Sequence, residues 1–96
     1  MQAFTFNQRV ENLYKSYFST FENISISLDE DQIKIYLIDE QNLDPASLEL
    51  KKFKQYDQIT FWDGYSQSEV IETTSERESA KTLKRFMKKI LKILTR

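Results

Sequence analysis

In the stretch ENISISLDEDQIKIYLIDE, residues 22–40, the spacing of apolar residues changes from the period of a helix to that of a strand, and this change indicates the fold. In residues 24–28 isoleucine or leucine alternates with serine, and alternation returns in residues 33–37 after the acidic turn DEDQ. Alternation places every second side chain on the same side of a strand. The stretch therefore predicts a β-hairpin.

The residues before this hairpin have helical spacing. Between Phe6 and Phe21 apolar side chains recur every three or four positions, while polar side chains occupy the opposite side. Thr5 or Asn7 stands where a helix cap is expected. We predict an amphipathic N-terminal helix with the apolar residues Phe6, Val10, Leu13, Tyr14, Tyr17, Phe18 and Phe21.

Further strands are predicted after the hairpin. EQNLDPAS, residues 40–47, contains the only proline and has no periodicity, which is typical of a surface loop. A third strand is expected from Leu48 to about Phe53, and its lysine-rich end KKFK is typical of an edge strand. QITFWDG and SEVIETT predict a second hairpin across Asp63-Gly64, where glycine permits the tight turn.

The C-terminal segment predicts a second amphipathic helix. Ser75 and Glu78 have the spacing of a capping box, and the apolar residues from Ala80 to Leu94 fall on one arc. We therefore predict one two-layer α+β domain over residues 1–96, in the order α-β-β-β-β-α. It would have a mostly antiparallel four-stranded sheet, with the N- and C-terminal helices on one face.

The composition excludes several kinds of chemistry. The 96 residues include no cysteine and no histidine, which removes disulfides, the familiar zinc sites and histidine-assisted nucleophiles. No calcium-binding loop pattern occurs, and we expect neither a metal nor a cofactor. The N-terminal stretch MQAFTFNQRV has no basic start followed by an apolar run, and no apolar segment is long enough to span a bilayer. A cytoplasmic location is the expectation.

Charge is divided unevenly along the chain. Residues 1–80 carry fifteen acidic and seven basic side chains, whereas residues 81–96 carry seven basic and no acidic ones. Such a division produces opposite fields on different surfaces, which can steer charged partners. The near-neutral total, a net charge of −1, conceals this difference.

The stretch ITFWDGYS, residues 59–66, places the only tryptophan beside the only glycine. Alternation directs Phe61 to the core and Trp62 to the opposite face, where Tyr36, Ile38 and Thr60 would also lie. Trp62 is then either an exposed anchor for a partner or a side chain covered by a loop, by Tyr65 or by a helix. The predicted partner-binding residues are Tyr36, Trp62, Tyr65, Asp29, Glu30, Asp31 and Asp63.

We predict a non-catalytic protein-interaction module. One possibility is an inhibitor or immunity-type protein whose acidic surface and aromatic sheet face bind a basic or nucleic-acid-handling partner. An open sheet also makes a homodimer possible.

The basic C-terminal helix suggests an alternative, a domain that binds nucleic-acid phosphates. A solvated outer face, an acidic protein surface and a membrane surface fit the same pattern. The basic residues concerned are Lys81, Lys84, Arg85, Lys88, Lys89 and Lys92. A less specific pattern, Asp39 followed by Glu49 and Lys51, resembles the layout of a small magnesium-dependent nuclease.

Overall fold

The helices and strands follow the change in the spacing of apolar residues along the sequence. The computed structural model describes residues 5–95, with two helices and five strands in that range. They are α1 (Phe6–Phe18), β1 (Ile24–Leu28), β2 (Gln32–Leu37), β3 (Ser47–Lys52), β4 (Asp57–Trp62), β5 (Ser68–Thr73) and α2 (Glu76–Leu94). The α+β class predicted from the sequence is confirmed.

The strands form one antiparallel sheet in the order β1-β2-β3-β4-β5, so each strand pairs with its neighbours along the chain. The predicted count of four strands is wrong, because both hairpins and the segment between them join the sheet.

The predicted edge position of β3 is also wrong. Leu48 of β3 pairs with Ile35 on one side and with Phe61 on the other, so β3 is the central strand. Lys51 and Lys52 are its last two residues and leave the pairing of the buried Leu48 and Leu50 undisturbed.

Both helices pack against the same face of this sheet. α2 lies over β3, β4 and β5, and α1 lies beside α2 and over β1. The ring of Phe61 on β4 stacks on that of Phe86 on α2, with centroids 5.5 Å apart. The helices and this face contribute most of the buried core: Phe6, Val10, Phe18, Ile24, Ile33, Ile35, Leu37, Leu48, Leu50, Ile59, Phe61, Leu83, Phe86, Met87 and Ile90.

Local hydrogen bonds begin α1. The Thr5 hydroxyl accepts the Gln8 amide at 3.1 Å, and the Gln8 side chain accepts the Thr5 amide at 2.9 Å. Thr5 is therefore the cap, whereas the Asn7 side chain donates to the Asp29 carbonyl at 3.0 Å. α1 ends at Phe18, three residues before the predicted end.

The first turn of α2 is fixed to the sheet. The Ser75 hydroxyl accepts the Glu78 amide at 3.2 Å, which confirms Ser75 as the cap. The predicted capping box is incomplete, because the Glu78 carboxylate accepts the Thr74 amide, at 3.5 Å, and not that of Ser75. One turn later, the buried Ser79 hydroxyl donates to the Asp57 carboxylate at 2.7 Å and shares a hydrogen bond with Thr73. Because Ser79 donates its only hydroxyl proton to Asp57, Thr73 must donate to Ser79.

The two layers carry opposite charge. The helices contain nine basic and three acidic side chains, whereas residues 19–75, the sheet and its connections, contain four basic and twelve acidic ones. The division along the sequence therefore becomes a division between layers. No helix described between residues 5 and 95 combines the length and the apolar character needed to cross a membrane.

Candidate interaction site

One end of the sheet carries two connections that contact each other. The β2–β3 loop, residues 38–46, and the β4–β5 turn, residues 63–67, lie at this end, which we call the loop end. The Asn42 side chain donates to the Gly64 carbonyl at 3.1 Å. Gly64 has φ of +89°, and a Cβ at this position would lie 3.1 Å from the Ala46 amide nitrogen. Glycine therefore permits both the turn and the close approach of the loop.

Trp62 connects the sheet to this loop. Its indole nitrogen donates to the Asp44 carbonyl at 2.9 Å, and the side chain is partly exposed. Both helices lie on the other face of the sheet, so the loop, and not a helix, provides the cover. The indole is held in one orientation while part of its surface faces solvent.

Carboxylates organise the two connections. One Asp63 oxygen accepts the amides of Tyr65, Ser66 and Gln67 at 2.8, 3.0 and 3.1 Å. In the loop, the Asp39 carboxylate accepts the Gln41 amide at 2.9 Å. These bonds hold the loop backbone without strands or disulfides. Asp63 is thus part of the turn's own structure as well as a charge at the surface.

Large apolar side chains project from the same end. Leu43 is fully exposed, Tyr65 is 77% exposed and Ile38 is 53% exposed. Leu43 is not among the residues predicted from the sequence, although an apolar residue within the polar loop EQNLDPAS is a signal of this kind of surface. Single exposed apolar residues are ordinary, but several at one end of a small sheet suit a contact surface.

The two connections at the loop end carry charge of one sign, and the cation beside the β4–β5 turn, Lys89, is paired with Glu69. Residues 38–47 and 62–70 include no lysine or arginine. We define the loop-end patch by its members: Ile38, Leu43, Trp62 and Tyr65, with the carboxylates of Asp39, Glu40, Asp44 and Asp63. The patch thus combines apolar surface with negative charge.

The structure brings together only some of the predicted partner-binding residues. Tyr36 and Trp62 pair with Ser47 from either side, so they share one row across the open face next to the loop end. Tyr65 and Asp63 lie in the adjoining turn. Residues 29–31 form the turn at the other end of β2, about 13–17 Å from this row at 3.3 Å per residue. Asp29, Glu30 and Asp31 therefore do not join the patch.

Two of the predicted nucleic-acid-binding residues form ion pairs with one carboxylate of the sheet. The Arg85 guanidinium lies 2.9 Å and the Lys89 ammonium 3.4 Å from carboxylate oxygens of Glu69 on β5. Partial burial raises the pKa of Glu69, but the hydrogen bonds and charges of Arg85 and Lys89 outweigh it, and the pKa lies below its usual value. These cations hold α2 against β5.

The other four predicted lysines of α2 are solvent-exposed. Among residues 5–95, no carboxylate lies within ion-pair distance of any of them. These residues, which we call the lysine row, are Lys81, Lys84, Lys88 and Lys92.

The residues of the nuclease hypothesis are not gathered. Glu49 and Lys51 form an ion pair of 3.3 Å on the open face. Glu49 pairs with Lys34, and Asp39 lies beyond the end of β2, on the order of 10 Å or more along the strand direction. Among the residues that the structure describes, no group of three or more acidic side chains is close enough to hold a metal ion.

Comparisons with protein-family models, with curated proteins and with solved structures found no match to this chain. The functional interpretation therefore depends on the residues themselves. Two surfaces stand out chemically: the acidic and apolar loop-end patch, and the lysine row on the opposite layer.

Proposed function

We propose that the protein is a non-catalytic interaction module whose loop-end patch binds a basic surface of another protein. The observation that carries this proposal is that exposed apolar side chains and carboxylates share one end of the sheet, on two connections that contain no lysine or arginine. Apolar contact would supply affinity, and the carboxylates would select a basic partner.

The apolar members have the properties of interface anchors. Leu43 and Tyr65 are largely exposed, and burying an apolar side chain of this size contributes roughly 1.5–3 kcal/mol. The Trp62 indole is already oriented by its bond to Asp44, so little side-chain entropy would be lost on binding. Leu43, Trp62 and Tyr65 are therefore the side chains that we propose as anchors.

The charge of the patch favours one class of partner. The rim carboxylates would attract a positively charged surface and accelerate encounter at low salt. A protein that handles nucleic acid presents such a surface in its substrate cleft. The sequence predicts an inhibitor or immunity-type role. In that role the carboxylates of the patch would occupy the places in the partner's cleft that nucleic-acid phosphates otherwise take. We keep the cytoplasmic location, expected from a chain without cysteine, as part of the proposal.

A photo-crosslinking residue at position 65 tests the proposal in the native cell extract. Tyr65 is exposed, so the replacement leaves the core intact. The same residue at Asp31, in the turn at the opposite end of β2, is the control. The proposal predicts a discrete crosslinked protein from position 65 that is absent from position 31. Equal products from both positions, or none from position 65, would refute it.

A second comparison separates the charge of the patch from total charge. Asp39→Asn/Glu40→Gln/Asp44→Asn removes three negative charges from the loop end, and Asp29→Asn/Glu30→Gln/Asp31→Asn removes three from the other end. Binding of the crosslinked partner should weaken at least tenfold in the first variant and change less than twofold in the second. Similar weakening in both would show that only net charge matters.

A further inference from the structure

The lysine row differs from the other cations of α2. Arg85 and Lys89 both form ion pairs with Glu69, and these ion pairs limit their binding to any other anion. The ammonium groups of the row meet no carboxylate within the described residues, and the segment from Lys81 to Lys92 contains no acid. The row is therefore a line of uncompensated charge.

The row is straight and regularly spaced. Successive lysines are three, four and four residues apart, which keeps them on one side of a helix. At 1.5 Å of rise per residue the row is about 16 Å long, with a cation every 4.5–6 Å. A duplex presents one phosphate charge per about 1.7 Å of its axis when both strands are counted, so each of the four lysines can meet a separate phosphate along a row of this length.

The packing of α2 disfavours a membrane as the occupant. A helix that lies in a lipid interface buries its apolar side in the acyl region. The apolar side of α2 is already buried in the protein, with Leu83, Phe86, Met87 and Ile90 each 0% exposed. Leu91, Ile93 and Leu94 are partly buried against the same core, so the charged side is the side of α2 that is most open to a ligand.

The residue type favours phosphates over a folded acidic protein. Lysine binds phosphate as a flexible point charge without regard to base identity, whereas protein interfaces are depleted of lysine and enriched in arginine. The cationic arginine of α2 nearest to the row, Arg85, already donates to a carboxylate. No exposed large apolar residue lies on α2 to anchor a protein interface.

We propose that the lysine row binds the phosphate backbone of nucleic acid without sequence preference. This site lies on the helical layer and functions independently of the loop-end patch, so it goes beyond the proposed protein interaction. Four cations neutralising four phosphates define its expected salt dependence.

The test is fluorescence anisotropy of a labelled 20-base-pair DNA duplex with the full chain between 50 and 200 mM salt. Four phosphate contacts predict a slope of about −3.6 for log K against log salt, a loss of roughly 150-fold over this range. Lys84→Gln/Lys88→Gln should reduce the slope to about −1.8, a loss of roughly 12-fold. Glutamine is well tolerated in helices, and circular dichroism verifies folding of each variant.

The matched control is Lys34→Gln/Lys54→Gln, which removes the same charge from exposed positions of the sheet layer. Its slope should remain that of the wild type. The proposal is overturned by absence of wild-type binding at 50 mM salt, or by equal effects of the two double variants. It is also overturned if polyglutamate or anionic phosphatidylserine vesicles compete as effectively as unlabelled DNA of equal charge concentration, because the row would then bind any polyanion.

Discussion

The indole nitrogen of Trp62 lies 2.9 Å from the carbonyl oxygen of Asp44, eighteen residues earlier in the chain. This bond attaches the β2–β3 loop to the sheet and orients the indole at the loop end. Strand alternation places Trp62 on the open face of the sheet. The bond to Asp44 then holds the loop beside Trp62 and so shapes the patch that we propose as an interaction surface.

Trp62→Phe should loosen the loop while the core persists. The substitution removes the donor, and loss of one such hydrogen bond costs about 0.5–1.5 kcal/mol. Hydrogen exchange should accelerate for amides of residues 40–46 and remain unchanged in α2. Thr60→Ser, on the same face of β4, is the control and should leave loop exchange unaltered. Unchanged exchange in Trp62→Phe would mean that the loop is held by other contacts.

Gly64→Ala should destabilise the fold. A residue with a side chain pays about 1–2 kcal/mol for φ in the positive region, and its Cβ would crowd the Ala46 amide. For a domain of this size, 1 kcal/mol lowers Tm by roughly 4–8 °C. Ser66→Ala in the same turn is exposed and should shift Tm far less. A Tm within 1 °C of wild type for Gly64→Ala would contradict this geometry.

Ser79→Ala should weaken the attachment of α2 to the sheet. The Asp57 carboxylate and the Thr73 hydroxyl would both lose their partner, at a cost of about 1–3 kcal/mol. Thr82→Ala is a matched control, because the Thr82 hydroxyl bonds only to the Glu78 carbonyl of its own helix. Urea unfolding measures both. Equal free energies of unfolding in the two variants would exclude the proposed anchor.

The Glu69 ion pair should make stability depend on pH. The pKa of Glu69 is lower in the folded protein than its usual value of 4.5, so its contribution is present above pH 4.5 and is lost as pH falls through the folded pKa. The wild type should therefore be more stable than Glu69→Gln at pH 7, and the difference should narrow below pH 4.5. A difference in Tm that stays constant from pH 7 to pH 3 would show that the ion pairs contribute nothing.

Periodicity in the sequence predicted the helices and the strands, because side-chain spacing reflects which face of each element is buried. It misplaced β3, since lysines at the end of a strand resemble an edge while Leu48 and Leu50 require neighbours on both sides. Neither the Trp62–Asp44 bond nor the Arg85–Glu69 pair was predictable, because each joins residues 16 or 18 positions apart whose proximity depends on the finished sheet.

The sequence predicted the candidate sites only in part, as it did the fold. The sequence identified the basic residues of α2, but only the position of Glu69 distinguishes the lysine row from the two cations that are already paired. It also grouped Asp29, Glu30 and Asp31 with the aromatic residues, although turns on successive connections lie at opposite ends of an antiparallel sheet. Composition shows how much charge a chain carries, and topology decides which charges share a surface.

Paramagnetic NMR can measure whether the loop-end patch and the lysine row present opposite electrostatic fields. Amide proton relaxation is measured at about 0.01 M salt, where the screening length is about 30 Å, with a cationic and then an anionic nitroxide in solution. We predict that the cationic reagent relaxes residues 38–46 and 63–67 more strongly, and that the anionic reagent relaxes residues 81–92 more strongly. If the ratio of the two relaxation effects is the same at both surfaces, the two surfaces do not differ in electrostatic potential and the proposed opposition of charge is wrong.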